Sequence, residues 1–278
     1  MRIRLVAIDI DGTLLNSAKQ VTDTTAAMLQ AARQEAGVRI VLATARPPRS
    51  VMSIYNQLGL DTPLINYNGA LVYDPLAKRV LMHKPIGCKT SRQIIDLARS
   101  VYPEVVVSAE ILDRWYTDRF DPSLVTETGR RFRPNVVAPV DQWLTQAVTK
   151  LLLLGEPEDL EKLAGAITAK FRRQVTIIQT EWHLLQITHA TVSKAQALRV
   201  VAGEVGVTSE QVMAIGDNAN DVGMLKWAGI GVAMGNAPPM VRAAADYVTD
   251  HHDADGAAKA IHEIIIKGMA KRRRTGSY

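Results

Sequence analysis

The sequence predicts an α/β protein, a mostly parallel sheet core interrupted by an inserted α+β module. Three observations carry this reading. The apolar run Leu5-Val6-Ala7-Ile8 is followed at once by Asp9-Ile10-Asp11-Gly12-Thr13, as expected of a buried parallel strand that ends in a crevice. Apolar runs of this kind alternate with amphipathic helical stretches in the first and last parts of the chain, the pattern of a parallel sheet. Between them the order changes to helix–strand–strand, twice, which suggests an antiparallel sheet. The core is therefore expected over 1–84 and 189–278, and the inserted module over 85–188.

Taken in order, the strand at Leu5 leads to a helix that Thr22 or Asp23 caps. Ala26, Leu29, Ala32 and Ala36 line one of its faces, and Gly37 stops it. A buried strand over 38–43 runs into Thr44-Ala45-Arg46. Pro47 suits the first turn of a helix that aligns Val51, Ile54 and Leu58. Leu64-Ile65 meets the turn signal Asn66-Tyr67-Asn68-Gly69, and 71–73 with 79–82 form a hairpin around Asp74-Pro75. The module opens with a helix carrying Ile94, Ile95, Leu97, Ala98 and Val101, followed by strands over 105–108 and 112–117. It continues with a strand over 148–154, a helix over 157–170, and strands over 175–179 and 184–188. The core resumes with a helix over 193–205, strands over 212–215 and 230–233 with a helix over 221–227 between them, and a helix over 256–267.

Composition excludes several classes. Hydrophobic residues at 47% and charged residues at 22% suit a globular chain, and 278 residues are enough to bury one large core or two smaller ones. Cys88 is the single cysteine, so no internal disulfide forms and a reducing, cytoplasmic setting is expected. Asp9 cuts the first apolar run too early for a signal peptide, and no run is long enough to span a bilayer. The net charge of +5 owes four of its charges to Lys271-Arg272-Arg273-Arg274. That places it in a solvated tail over 270–278, expected to be disordered, rather than on a nucleic-acid or membrane surface.

The chemistry collects at strand ends. Asp9 and Asp11 lie two apart, and two ionised carboxylates so close need a cation or a shared proton. Thr44 ends the second strand, Lys194 stands at a helix start, and Gly216-Asp217-Asn218-Ala219-Asn220-Asp221 follows an apolar strand. Open α/β sheets bind ligands where such ends converge. A carboxylate can attack phosphorus, a second acid can move the protons, and a hydroxyl and an ammonium can hold phosphoryl oxygens. Asp217 and Asp221, four apart, share a face if a helix starts between them. An all-oxygen donor set of this kind favours Mg²⁺.

With these residues the chain resembles the haloacid dehalogenase superfamily of phosphatases, and within it the Cof-type branch. The resemblance rests on Asp9 to Leu15, Asn68-Gly69-Ala70, Ser193-Lys194, Gly216 to Asp221 and Gly231-Val232-Ala233-Met234-Gly235-Asn236-Ala237, in order. It implies a Rossmann-like core with an inserted cap of type C2 that covers the site and selects substrate. It implies Asp9 as nucleophile and Asp11 as acid/base, with Thr44, Lys194 and Asn220 at the phosphate. Asp9, Asp11 (through its backbone carbonyl), Asp217 and Asp221 would form the metal site, and Arg46 and Asn68 lie at the substrate rim. The implied reaction is Mg²⁺-dependent hydrolysis of sugar phosphates or related small phosphomonoesters, by a monomer or homodimer with no nucleic-acid or membrane partner.

The chain departs from the family pattern at Ala45, where Gly is common, at Ala195, and at Gln186, near which an acid is frequent. It departs again at Asp250-His251-His252-Asp253-Ala254-Asp255-Gly256. The histidine pair there is read as a polar loop, because adjacent histidines rarely converge on one ion. Asp113-Arg114-Trp115-Tyr116 is either a substrate contact or a strand face packed on a helix. A phosphotransferase or mutase shares these motifs. A phospho-accepting receiver lacks the inserted module, and a non-catalytic binding protein would not need Asp9.

Overall fold

The structure, a computed structural model, describes residues 2–268; the tail over 270–278 lies outside them. The chain divides into two compact units, one formed by the residues before His83 together with those after Val192, the other by His83–Val192.

The first unit begins with β1 (Leu5–Ile8), all four residues buried. Helix α1 (Asp23–Ala36) follows. The Thr22 hydroxyl accepts the Thr25 N–H at its start, and Gly37 ends it in the left-handed conformation at φ 64°. After β2 (Arg39–Leu42), Pro47 and Pro48 do not open an α-helix directly. Pro48–Ser50 forms a 3-10 turn before α2 (Met52–Gln57). Strands β3 (Leu64–Asn66), β4 (Leu71–Asp74) and β5 (Arg79–His83) make a small three-stranded sheet.

The second unit opens with α3 (Cys88–Val101), β6 (Val106–Ile111) and β7 (Arg114–Thr117). Ile111 pairs with Arg114, so Leu112 is a turn residue at φ 56°, not part of the second strand. Between Thr117 and Lys150 lie the short elements α4 (Glu127–Arg131), β8 (Val136–Val137) and α5 (Val140–Trp143). Strand β9 (Lys150–Leu154), α6 (Pro157–Phe171), β10 (Val175–Glu181) and β11 (Leu184–His189) complete the unit. Its six-stranded sheet runs β10-β11-β9-β6-β7-β8, antiparallel except for the parallel pair β7–β8.

Alternation along these strands sends Val107, Ala109, Leu151, Leu153, Leu185 and Ile187 into one core with Ile94 and Ile95 of α3 and Leu160, Leu163 and Ile167 of α6. Trp115 and Tyr116 are both buried in the unit, Tyr116 with its ring 5.9 Å from that of Trp143. Leu163 is fully buried. Leu163→Ala should therefore cost about 2–5 kcal/mol in urea unfolding. A cost below about 1 kcal/mol would contradict the packing of α6 on this sheet.

The chain then returns to the first unit through α7 (Lys194–Glu204), β12 (Val212–Gly216), α8 (Val222–Trp227), β13 (Ile230–Ala233), α9 (Pro239–Arg242), β14 (Tyr247–Val248) and α10 (Gly256–Ile261). The last helix continues as a π-helical stretch, His262–Ile266. The sheet order β14-β13-β12-β1-β2 is parallel throughout, with Ile8 beside both Ile215 and Leu42. Val6 and Ile8 face a core shared with α1 and α10, while Leu5 and Ala7 face one shared with α7. Covering on both faces explains why the strands read as unbroken apolar runs. The strand order reverses between β1 and β12, and the ends of these two strands mark the crevice of such a sheet. No helix among the described residues is long and apolar enough to cross a membrane.

Candidate active site

Asp9 is the first residue past β1, its N–H bonded to the Ile215 carbonyl of the neighbouring strand at 3.0 Å. Asp217 is the first residue past β12, and a 3-10 turn, Ala219–Asp221, brings Asp221 back beneath it. Asp221 Oδ2 accepts the backbone N–H groups of Asp217 and Asn218, each at 3.0 Å, so one carboxylate both shapes the turn and faces the site. Lys194 stands at the first position of α7, whose start Ser193 caps. Its ammonium lies 2.6 Å from Asp9 Oδ1 and 2.6 Å from Asp221 Oδ1. Lys194 and Asp221 are at most 1% exposed.

Carboxylate oxygens of Asp9, Asp217 and Asp221 all lie within 4.8 Å of one another. Burial raises the Asp9 carboxyl well above its usual range; Lys194 opposes this, and the nearby charge of Asp221 adds to it. Burial also raises Asp217, against a hydrogen bond from the Thr13 hydroxyl at 2.9 Å. Burial alone would lower the Lys194 pKa, but Asp9 and Asp221 outweigh it and hold the ammonium above its ordinary value. One ammonium thus faces three crowded acids. The remaining negative charge and the all-oxygen donors suit a divalent cation.

The Asp11 side chain stands outside this cluster. Its carboxylate receives Arg46 Nε at 2.7 Å and Arg46 Nη2 at 2.6 Å, a bidentate pair, and Lys19 Nζ at 3.0 Å. Burial works to raise its pKa, but the two cations prevail and hold it below the usual carboxylate range. Thr44 is buried, and its hydroxyl oxygen accepts the Arg46 N–H at 3.2 Å. Asn68, at φ 58°, donates its backbone N–H to the Thr44 carbonyl at 2.9 Å and accepts Asn220 Nδ2 on its side-chain oxygen at 2.8 Å. The nine residues picked out in the sequence thus form two contact groups: Asp9 with Asp217, Asp221 and Lys194; and a chain that runs from Asp11 through Arg46, Thr44 and Asn68 to Asn220.

Three further residues join them. Thr13 and Asn236 both reach Asp217, and Lys19 reaches Asp11. Thr13 and Asn236 lie inside the motifs quoted above, but nothing in their local pattern marks a partner some 20 to 200 residues away. Gly12 matters for what it lacks. At φ 78° it carries no Cβ, and a Cβ there would overlap Asp217 Oδ2. Gly12→Ala should displace that carboxylate and lower kcat/KM by about 10²-fold. Steady-state kinetics at wild-type level would show that the close approach has no functional weight.

A family model described as haloacid dehalogenase-like hydrolase matches residues 6–261. Among relatives, the chain is 30% identical over 262 residues to the 5-amino-6-(5-phospho-D-ribitylamino)uracil phosphatase YitU of Bacillus subtilis, covering 93% of this chain and 96% of that one. It is also 30% identical over 277 residues to the pyridoxal phosphate phosphatase YbhA of Escherichia coli, covering 96% and 100%. Among solved structures, a haloacid dehalogenase-like hydrolase from Bacteroides thetaiotaomicron matches with a TM-score of 0.86 at 27% identity, covering 95% and 100%.

Proposed function

Because the chain belongs to the haloacid dehalogenase-like hydrolases, we propose that it is a Mg²⁺-dependent phosphatase of small phosphorylated metabolites acting through an aspartyl-phosphate at Asp9. The observation that carries the reading is the buried cluster at the ends of β1 and β12. There Lys194 bridges Asp9 and Asp221, and Asp217 completes the carboxylate set.

Asp9 Oδ2 is the oxygen that Lys194 does not hold, and it attacks phosphorus while the bond to the leaving oxygen breaks. The ammonium fixes the other oxygen and neutralises charge near the phosphoryl group. Thr44 and Asn220 line the phosphate position, and Arg46 and Asn68 the rim. Asp9, Asp217 and Asp221 would hold the cation, with the Asp11 backbone carbonyl. When bound, Mg²⁺ offsets the negative charge of the carboxylates and phosphate and so allows the anionic nucleophile to approach.

Asp11 supplies the proton for the leaving oxygen and later takes one from the water that opens the aspartyl-phosphate, releasing phosphate and restoring Asp9. Its pairing with Arg46 and Lys19 keeps it ionised, the form needed in the second half. Donation in the first half requires Arg46 to turn towards substrate, where its planar fork suits a phosphoryl or hydroxyl group. It also requires Lys19 to release the carboxylate, so that Asp11 takes up a proton from water before it gives one to the leaving oxygen. The two relatives are named for a phosphoribitylaminouracil and for pyridoxal phosphate. The proposed substrates are of that size: sugar phosphates or related small phosphomonoesters.

Phosphate release from p-nitrophenyl phosphate and a panel of phosphorylated metabolites, with Mg²⁺ or EDTA, tests the proposal. Release should vanish in EDTA and return with added Mg²⁺. Release unaffected by EDTA would refute the metal-dependent reading, and phosphoryl transfer to a sugar without free phosphate would refute hydrolysis.

A further inference from the structure

We propose that Asn236 is a positioning residue for the metal site, an amide that locks the Asp217 carboxylate to the loop following the nucleophile and is itself oriented by the backbone at His252. The proposal rests on the metal-dependent reading above and concerns residues to which that reading gives no role.

Asn236 follows β13. Its Nδ2 donates to the Gly12 carbonyl at 2.9 Å and lies 3.5 Å from Asp217 Oδ2, while its Oδ1 accepts the His252 N–H at 3.1 Å. A backbone N–H can only donate, so the amide oxygen must face His252 and the amino group must face Gly12 and Asp217. The other Asp217 oxygen takes the Thr13 hydroxyl. The carboxylate is therefore held at both oxygens, beside a residue with no side chain to push it away.

The segment that orients Asn236 also grips the rest of that loop. His252 Nδ1 donates to the Leu15 carbonyl at 3.0 Å. Asp253 accepts Ser17 N–H at 2.7 Å and Ser17 Oγ at 2.6 Å. Asp255 accepts the hydroxyls of Thr22 at 2.5 Å and Thr25 at 3.2 Å, at the start of α1. A carbonyl acceptor requires the proton on His252 Nδ1, a condition met by both the neutral and the charged ring.

His251, His252 and Asp253 have the makeup of a metal group, but the Asp253 carboxylate and the Nδ1 atoms of both histidines already have protein partners. Ser17 holds both Asp253 oxygens, Leu15 holds His252 Nδ1, and His251 Nδ1 accepts the Asp253 N–H at 3.2 Å. The cluster is a clasp on the nucleophile loop, and Asn236 is where that clasp reaches the metal ligands.

Calorimetric titration of Mg²⁺ into the full chain tests this on wild type, Asn236→Leu, Asn236→Ala and His252→Ala. Leu keeps the volume and removes the hydrogen bonds; Ala serves if Leu does not fold. Both Asn236 variants should bind Mg²⁺ about 10- to 100-fold more weakly, with far-UV circular dichroism and melting in EDTA close to wild type. Raising Mg²⁺ should restore their kcat. His252→Ala keeps the backbone N–H on Asn236 and should lose much less affinity. Wild-type affinity in both Asn236 variants, or a loss that tracks melting in EDTA equally across all three, would overturn the proposal. If wild type takes up no Mg²⁺, the metal-dependent reading falls and the proposal with it, an outcome distinct from the first two.

Discussion

Asp9→Asn is expected to abolish phosphate release, lowering kcat by roughly 10⁴- to 10⁶-fold, the scale seen when the nucleophile of a covalent mechanism is removed. An amide nearly matches the carboxylate in shape, and its oxygen can still accept the Lys194 ammonium now 2.6 Å away. It cannot attack phosphorus as an anion. The substitution also relieves the burial penalty and the repulsion from Asp221 that raise the Asp9 carboxyl, so thermal stability should fall little or rise. Activity lost together with the cooperative melt would point to misfolding, and residual activity above about 10% would rule out Asp9 as nucleophile.

Lys194→Met should have the next largest effect, and on stability as well as activity. Lys194 is the only lysine that touches both Asp9 and Asp221 among the described residues, and it does so with its ammonium buried. Methionine fills much the same space but leaves those carboxylates and Asp217 without their cation. Removing one partner of a buried ion pair costs about 3–5 kcal/mol near neutral pH, measured by urea unfolding in EDTA. The sign with pH follows from linkage. In the variant the folded-state pKa values of Asp9 and Asp217 rise further above the unfolded value of 3.8. The deficit should therefore be smallest in acid, where the carboxyls are protonated in both states, and grow as pH rises through the folded pKa. Mg²⁺ should recover part of it by binding only the folded chain. Stability equal to wild type across pH would mean that the three acids do not repel one another as their crowding implies.

Much of the fold is legible because its signals are local. Thr22 and Gly37 bracket α1 by capping chemistry, and β1, β12 and β13 are apolar runs that end in the residues of the site. The elements that escaped have no such signal. Helix α4 reads Glu-Thr-Gly-Arg-Arg and β8 is two residues long, so their form depends on what they pack against rather than on periodicity. Leu112 looks like a strand residue by hydrophobicity, yet the register of β6 and β7 makes it a turn.

The site divides in the same way. Asp9, Asp217, Asp221 and Lys194 stand out as charged residues at strand and helix ends. The pairing of Asp11 with Arg46 and Lys19, the packing of Gly12 on Asp217, and the span of Asn236 from Gly12 to His252 are contacts between distant segments. No local pattern encodes them.

The most direct test of the account is to catch the covalent intermediate. Wild-type chain mixed with a good substrate and Mg²⁺ is quenched in borohydride, which reduces an aspartyl-phosphate to homoserine, and the peptide carrying residues 9 to 15 is sequenced by mass spectrometry. Homoserine at position 9, dependent on Mg²⁺ and absent from Asp9→Asn, is the expected result. Label at another residue, or none under conditions where phosphate is turned over, would contradict a mechanism through Asp9.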